Sequence, residues 1–160
     1  MDTKKVSLQD WVDTYDLLAR YCYFVDEGEC EAWVDLWTED GVFAGVMPEP
    51  VRGREALKQV PIWSISGGSR HKLVNLIIEY GESKDEITVR CYNFITAWLG
   101  DAKIGGMAVA RYQLVRTGDG WKIKSNQVRM QTPAGVDPNR FPEGFPYPAN
   151  QPTTRLPPLD

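Results

Sequence analysis

The spacing of the apolar residues changes from a helical to an extended period near residue 69, and this change restricts the fold more than any other feature of the sequence. Over 7–26 apolar residues recur every three or four positions, which predicts a helix with one buried face; Ser7 and Asp10 resemble the start of a capping box. Beyond residue 69 the apolar residues fall in extended runs between turn residues. Helices followed by antiparallel strands indicate an α+β fold.

The remaining elements are predicted from shorter patterns. A short helix is expected at 30–37, a strand at 42–47 and a second short helix at 54–60. Residues 38–41 are expected to end the first of these helices, and the second is expected to end before Pro61. Four longer β-rich runs are predicted to be strands: 71–78, 86–98, 106–116 and 121–130. Residues 117–120 read as a hairpin connection.

Eight of the eleven prolines lie within 133–160, so this stretch cannot continue the regular fold. A length of 160 residues suits one domain, and 42% hydrophobic with 25% charged residues is typical of a globular protein. We predict one domain over 1–132 and a proline-rich arm over 133–160. The arm is either a loose tail or, because it contains Phe141, Phe145 and Tyr147, a segment that docks on its own domain or on a neighbouring subunit.

Charge and cysteine content exclude several classes of function. The net charge of −4 argues against nucleic-acid binding, which usually requires a clustered basic surface. Cys22, Cys30 and Cys91 are odd in number and lack metal-type spacing, so neither a disulfide framework nor a zinc site is expected. No apolar leader or membrane-spanning run is recognised, and a cytoplasmic location without membrane partners is expected.

The single histidine, His71, is the only side chain whose ordinary pKa, about 6.5, lies near neutral pH. It stands at the start of an apolar strand, where a period of two places it on one face with Leu73, Asn75 and Ile77. One interpretation is a structural histidine whose ring is satisfied by local hydrogen bonds. The other is a catalytic base.

Asp26 favours the second interpretation because it follows a strongly apolar and aromatic stretch at the end of the first helix, where carboxylates are rarely buried unpaired. If this helix crosses the sheet, Asp26 can accept a hydrogen bond from one nitrogen of the His71 ring and leave the other free to remove a proton. The alternative is that Asp26 only ends the helix before Gly28.

Several segments, in their order and spacing, resemble the SnoaL-like branch of the nuclear transport factor 2-like superfamily. They are LARYCYFVD at 18–26, WVDLWTEDGVF at 33–43, GREAL at 53–57, RHKLVN at 70–75, ARYQLVR at 110–116 and GWKI at 120–123. The resemblance implies a cone-shaped, curved mixed sheet whose N-terminal helices enclose an apolar pocket. It also implies a homo-oligomer, with a trimer favoured and a dimer possible.

Scytalone dehydratase, bile-acid dehydratase and hexachlorocyclohexane dehydrochlorinase belong to this superfamily and carry an Asp at the end of the first helix and a His on the first long strand. Asp26 and His71 match these positions, so the resemblance implies a dyad in which His71 removes a carbon-bound proton and Asp26 orients it. Tyr21 matches a polar pocket residue of the dehydratases, and its phenol would donate to a leaving oxygen or an enolate. Tyr21 could equally be an aromatic residue of the helix's buried face.

Five further residues are expected to bind the substrate: Asn93, Asn126, Asn75, Trp37 and Phe43. Asn93 is the strongest of the strand amides because an amide in so apolar a strand needs a partner. Asn126 falls near a position where the dehydrochlorinase carries an Arg, so the resemblance does not extend to halide stabilisation. With one histidine and no phosphate-binding glycine loop, neither a metal nor another cofactor is expected.

The resemblance therefore implies a cofactor-independent lyase of the dehydratase type that acts on a small hydrophobic substrate, aromatic or polycyclic. An isomerase or cyclase using the same pocket is the nearest alternative, since the same base serves proton abstraction in each case. A non-catalytic adaptor, such as a module like the β subunit of ring-hydroxylating dioxygenases, is the alternative from a different class.

Overall fold

The computed structural model describes residues 4–97 and 103–132, apart from the side chains of 103–105 and 132. The four helices of this part of the chain all precede its long strands: α1 (Leu8–Glu27), α2 (Cys30–Val34), α3 (Arg54–Leu57) and α4 (Gln59–Ser66). The six strands are β1 (Trp37–Ala44), β2 (Val51–Arg52), β3 (Ser69–Tyr80), β4 (Glu86–Ala97), β5 (Lys103–Thr117) and β6 (Gly120–Thr132). The predicted arm over 133–160 lies outside the described residues.

The six strands form one curved sheet in the order β2-β1-β6-β5-β4-β3, which confirms the predicted α+β class. Only β1 and β6 pair in parallel, so the sheet is mixed. Among the described strands it does not close into a barrel, because β2 and β3 remain at its two edges. Thr117 pairs with Gly120, as the predicted hairpin requires.

Helix α1 begins and ends at the residues that its sequence specifies. The Ser7 hydroxyl accepts a hydrogen bond from the backbone N–H of Asp10, which caps the first turn. Gly28 adopts a left-handed conformation (φ 72°) and donates its N–H to the carbonyl of Phe24, which closes the last turn. One face of the helix is buried: Asp10, Thr14, Leu17, Leu18, Tyr21, Val25 and Asp26. Asp10 and Asp26 therefore lie in the buried face, close to opposite ends of the helix.

Two predicted boundaries are wrong for identifiable reasons. Helix α2 stops at Val34 because Trp37 is already extended and pairs in parallel with Ile123. Residues 38–41, which were expected to end the helix, therefore lie inside β1. The segment after α3 does not end before Pro61 but forms α4. Proline is tolerated there because it lies in the first helical turn, where its missing N–H would have no intrahelical acceptor.

A bulge in β3 overturns the predicted face of the His71 strand. Asn75 has φ 56°, and the pairing with β4 shifts register between Val74 and Ile77. The extra residue reverses the alternation, because side chains on a strand change face at every position. His71 and Leu73 therefore share a face as predicted, whereas Asn75 is exposed and Ile77 is 49% exposed.

A buried carboxylate at the start of α1 fastens the helix to the sheet. One oxygen of Asp10 accepts from the hydroxyls of Tyr80 (2.5 Å) and Ser7 (2.8 Å). The other accepts from Arg116 Nη2 (2.7 Å) and Trp121 Nε1 (3.1 Å). Burial alone would raise the pKa of this carboxyl, but the four hydrogen bonds outweigh it and hold the pKa well below its usual range.

We predict that Asp10→Asn lowers the free energy of unfolding at neutral pH by about 2–4 kcal/mol, because an amide cannot accept at both positions. A carboxyl whose pKa is depressed in the folded state stabilises the fold at pH values above its pKa in the unfolded chain, about 3.9. This contribution disappears as the pH falls through the pKa of the folded state. The gap between wild type and variant should therefore narrow below about pH 4.

Denaturant unfolding at several pH values measures this gap, and Asp13→Asn, at an exposed position of the same helix, is the matched control. Equal stability of the two variants at neutral pH would contradict the assignment.

Candidate active site

A cavity of about 230 Å³ lies between the helices and the inner face of the sheet. Most of its wall is apolar: Val25, Phe43, Val46, Met47, Val60, Trp63, Ile95, Val128 and Met130. Five residues with polar side chains interrupt this wall: Tyr21, Ser64, Ser69, His71 and Asn93. A mainly apolar wall with few polar groups is typical of sites for small organic molecules.

The last turn of α1 meets the beginning of the edge strand β3 at Asp26 and His71. Asp26 Oδ1 lies 2.5 Å from His71 Nδ1, and its Oδ2 accepts the backbone N–H of His71 at 2.7 Å. The predicted hydrogen bond between the two side chains is confirmed. Asp26 is buried (5% exposed), whereas the His71 ring borders the cavity. The carboxylate therefore stands behind the imidazole, and the imidazole faces the space where a ligand fits.

Arg70, the residue before His71, holds the end of α1 in place. Its Nη1 donates to the backbone carbonyl of Asp26 at 2.8 Å, and its Nη2 lies 3.4 Å from the Glu27 carboxylate. A cation at the C-terminal end of a helix satisfies a free carbonyl and complements the helix dipole. Arg70 thus holds the last turn of α1 through the backbone carbonyl of Asp26, and His71 holds it through the Asp26 side chain.

Tyr21 lies one and a half turns before Asp26, and its ring also borders the cavity. Its hydroxyl accepts a hydrogen bond from Asn126 Nδ2 at 2.9 Å, which leaves the phenolic proton available for donation. Burial raises the pKa of the Tyr21 phenol above its usual range, so the group stays neutral. The ring of Tyr112 packs edge-on against Tyr21 at a centroid distance of 5.4 Å.

Of the five residues predicted to bind substrate, two border the cavity. They are Phe43 and Asn93, and the amide oxygen of Asn93 is buried without a partner among the described residues. Asn126 is buried behind Tyr21. Two expected placements are wrong. Trp37 is buried behind the cavity wall against Trp33 and Tyr21, and Asn75 is turned out to solvent by the bulge in β3.

The cavity wall also contains residues that the sequence did not indicate. Val46 and Met47 follow β1, and Trp63 and Ser64 lie on α4. Trp63 and Ser64 are missed because the sequence predicts that the helix stops before Pro61, which leaves the apolar residues after it unassigned. The apolar residues after Pro61 are a signal for a continuing helix, since proline within the first turn is compatible with a helix.

The chain belongs to the SnoaL-like domain family of the nuclear transport factor 2-like superfamily, whose family pattern matches residues 6–127. It is similar to a nuclear transport factor 2-like protein with a cystatin-like fold from Novosphingobium aromaticivorans. The two proteins share 25% sequence identity and superimpose with a TM-score of 0.70, over 80% of this chain and 86% of the other. This family includes dehydratases and isomerases.

Two further structures from the same organism share the fold. A candidate aromatic ring hydroxylase has 24% identity and a TM-score of 0.65, covering 81% of this chain and 94% of its own. A candidate scytalone dehydratase has 21% identity and a TM-score of 0.66, covering 78% of this chain and 86% of its own. No curated protein gave a significant match.

No helix within the described residues is both long and apolar enough to cross a membrane. Within 4–97 and 103–132, no three His, Cys, Asp or Glu side chains are grouped so that they could hold a metal ion.

We predict that neutral His71 carries its proton on Nδ1 and that Asp26→Asn reduces this preference. The Asp26 carboxylate accepts from the ring and from the backbone N–H, but an amide has one accepting oxygen and must turn its NH₂ toward one of these donors. Because the chain has one histidine, nitrogen NMR of labelled imidazole reports this ring alone.

Asp16→Asn is the control, because Asp16 is an exposed carboxylate of α1 that pairs with Arg20. An Nε2–H ring in the wild type, or an unchanged tautomer in Asp26→Asn, would contradict the proposed orientation.

Proposed function

We propose that this protein is a cofactor-independent lyase of the dehydratase type, in which His71 removes a carbon-bound proton from a small, largely hydrophobic substrate. The observation that carries the proposal is the 2.5 Å contact between His71 Nδ1 and the buried Asp26 carboxylate, with the ring bordering an apolar cavity. A buried carboxylate that accepts from Nδ1 selects the tautomer whose Nε2 is free to act as a base.

The proposed reaction conserves atoms and charge. His71 Nε2 takes the proton, and the electron pair of the broken C–H bond forms a double bond to the neighbouring carbon. The leaving group departs from that carbon with its bonding pair, and a departing hydroxide takes the proton back from the imidazolium to leave as water. Asp26 stabilises the imidazolium between these two transfers because it lies within hydrogen-bonding distance of the ring.

Tyr21 and Asn93 supply the polar contacts in this mechanism. Tyr21 keeps its proton because burial raises its pKa, and Asn126 already occupies the hydroxyl as a donor, so the phenol donates to the developing negative charge on the substrate. Asn93 orients the substrate through its unpartnered amide oxygen, which accepts from a hydroxyl. Phe43 contributes apolar contact.

The size of the cavity supports a small substrate. Its volume of about 230 Å³ is below the roughly 300–1,000 Å³ of pockets that hold drug-sized ligands. This favours a compound of one or two rings over a larger polycyclic one.

The cavity also favours an enzyme over an adaptor. An adaptor needs no open space beside a buried His–Asp pair, and its core would be filled at that point. An isomerase would use the same base, and the mass of the product separates the two reactions: elimination removes a small molecule from the substrate, whereas isomerisation leaves the mass unchanged. The homo-oligomer, with a trimer favoured, stays a prediction that sedimentation tests.

We predict that His71→Ala removes nearly all turnover and that Asp26→Asn impairs it severely, while Tyr21→Phe costs about 10- to 1,000-fold, the contribution of one transition-state hydrogen bond. The measurement is a mass-spectrometric screen of hydroxylated one- and two-ring compounds for loss of water, followed by kinetics of the variants with the best substrate.

Ser69→Ala, a change at another polar residue of the same wall, controls for altered packing, and circular dichroism verifies folding. A His71→Ala variant that folds and keeps most of its turnover would show that another group is the base.

A further inference from the structure

Helix α1 has two apolar faces, and only one of them is buried. The second is an exposed stripe along the helix, which we call the outer stripe: Leu8, Trp11, Val12, Tyr15, Ala19 and Tyr23. The exposed fraction of its large side chains runs from 42% for Trp11 to 80% for Leu8. Single exposed apolar residues are common, but a continuous stripe of them at helical spacing marks a binding surface.

One margin of the outer stripe is an apolar groove between α1 and the edge strand β3. The groove has a volume of about 240 Å³, and its apolar wall is formed by Tyr15, Leu18, Ala19, Cys22, Leu73 and Leu76. Burial raises the pKa of the Cys22 thiol to about 12, so this group stays uncharged. Lys72 also borders the groove, but its ammonium donates to the carbonyl of Arg70 and to the hydroxyl of Thr96. The groove therefore suits an apolar side chain.

The other margin of the outer stripe is polar and exposed. It consists of Gln9, Asp13, Asp16 and Arg20, which follow one another at helical spacing. Gln9 donates to Asp13 at 2.7 Å, and Arg20 Nε donates to Asp16 at 2.7 Å. The stripe thus has a groove on one side and a charged row on the other.

This asymmetry matches a second copy of the chain. When a helix packs on its own copy about a twofold axis perpendicular to its length, the two helices run antiparallel and like margins meet. The groove margin then faces the groove margin, and the polar row faces the polar row. A parallel pair would place the groove of one copy against the charged row of the other. Only the antiparallel pair buries apolar surface against apolar surface.

The extent of the stripe sets the register of such a pair. Its large exposed side chains run from Leu8 to Tyr23, so the twofold axis falls beside Tyr15. Trp11 of the partner subunit then lies level with residues 19–20 on the groove margin, and its indole enters the groove. Trp11 is stacked on Tyr15 of its own chain at a centroid distance of 5.5 Å, so the ring is held in place before docking.

Charge and area agree with this register. Arg20 lies within one turn of Asp13 of the partner subunit, so opposite charges approach each other on the polar margin. The large side chains of the stripe expose roughly 600 Å² of surface. The groove wall and the polar row bring this close to the roughly 800 Å² that each partner buries in a stable complex. A lipid surface is disfavoured, because Arg20 is the one basic residue of α1 and the net charge is −4.

We propose that two copies of this chain form a twofold dimer through the outer stripe of α1, with Trp11 of each copy seated in the groove of the other. The dimer is thereby favoured over the trimer. His71 lines both the groove and the larger cavity, so the seated indole would shield the Asp26–His71 pair from water on the groove side. The proposal does not depend on the reaction proposed for that pair.

Sedimentation equilibrium of the full chain from about 1 μM to about 1 mM tests the dimer. We expect a monomer–dimer equilibrium for the wild type. Trp11→Ser should raise its dissociation constant about 100-fold or more, because each dimer loses two seated indoles. Trp63→Ser is the matched control, since Trp63 is also 42% exposed but lies on α4, and it should leave the constant unchanged. A monomer at every concentration, a trimer, or a dimer that Trp11→Ser does not weaken would overturn the proposal.

A photoreactive benzophenone side chain at position 11 tests where the two copies touch. After irradiation of a mixture of ¹⁵N-labelled and unlabelled chains, mass spectrometry separates bonds between chains from bonds within one chain. We expect bonds between chains to residues 15–23 or 71–76 of the other copy. Bonds between chains at other segments, or none between chains, would contradict the antiparallel pair, whether or not any substrate is turned over.

Discussion

The Asp26 carboxylate connects the end of α1 to the first residues of the edge strand β3, and the geometry of the cavity depends on this connection. Its two oxygens accept from the backbone and from the ring of His71, so one group fixes both the strand and the imidazole. Arg70 secures the same turn by donating to the carbonyl of Asp26. A change at Asp26 therefore alters the position of the strand as well as the orientation of the ring.

The two carboxylates in the buried face of α1 have different surroundings. Asp10 receives four hydrogen bonds from protein donors and is fully engaged in joining the helix to β3, β5 and β6. Asp26 receives its side-chain hydrogen bond from an imidazole that borders the cavity. The first arrangement stabilises the fold, and the second leaves a titratable ring beside an apolar space. Asn93 and Asn126 add amide oxygens that are buried without partners among the described residues, which is costly unless a ligand or water satisfies them.

Much of this arrangement could be predicted from local sequence. The Ser7 cap and the buried face of α1 follow from helical spacing. A carboxylate in an apolar context made the pairing of Asp26 with His71 one of two interpretations, and the family resemblance favoured it. The exposed position of Asn75 could not be predicted, because a bulge depends on pairing with β4 and leaves no mark in the alternation before it. Trp37 was expected in a helix because its parallel pairing with Ile123 exists only in the folded chain. Pro61 was expected to end a helix because its position in the first turn of α4 is also set by the fold.

In the proposed reaction His71, held by Asp26, removes a proton from carbon. Solvent exchange tests it most directly, because proton abstraction precedes elimination and isomerisation alike. Cyclic ketones of one or two rings are incubated with the protein in D₂O, and proton NMR follows the loss of the hydrogens next to the carbonyl. We expect exchange faster than the uncatalysed rate for the wild type and exchange at the uncatalysed rate for His71→Ala. Equal rates for the two proteins, in any ketone that the wild type exchanges, would contradict the claim.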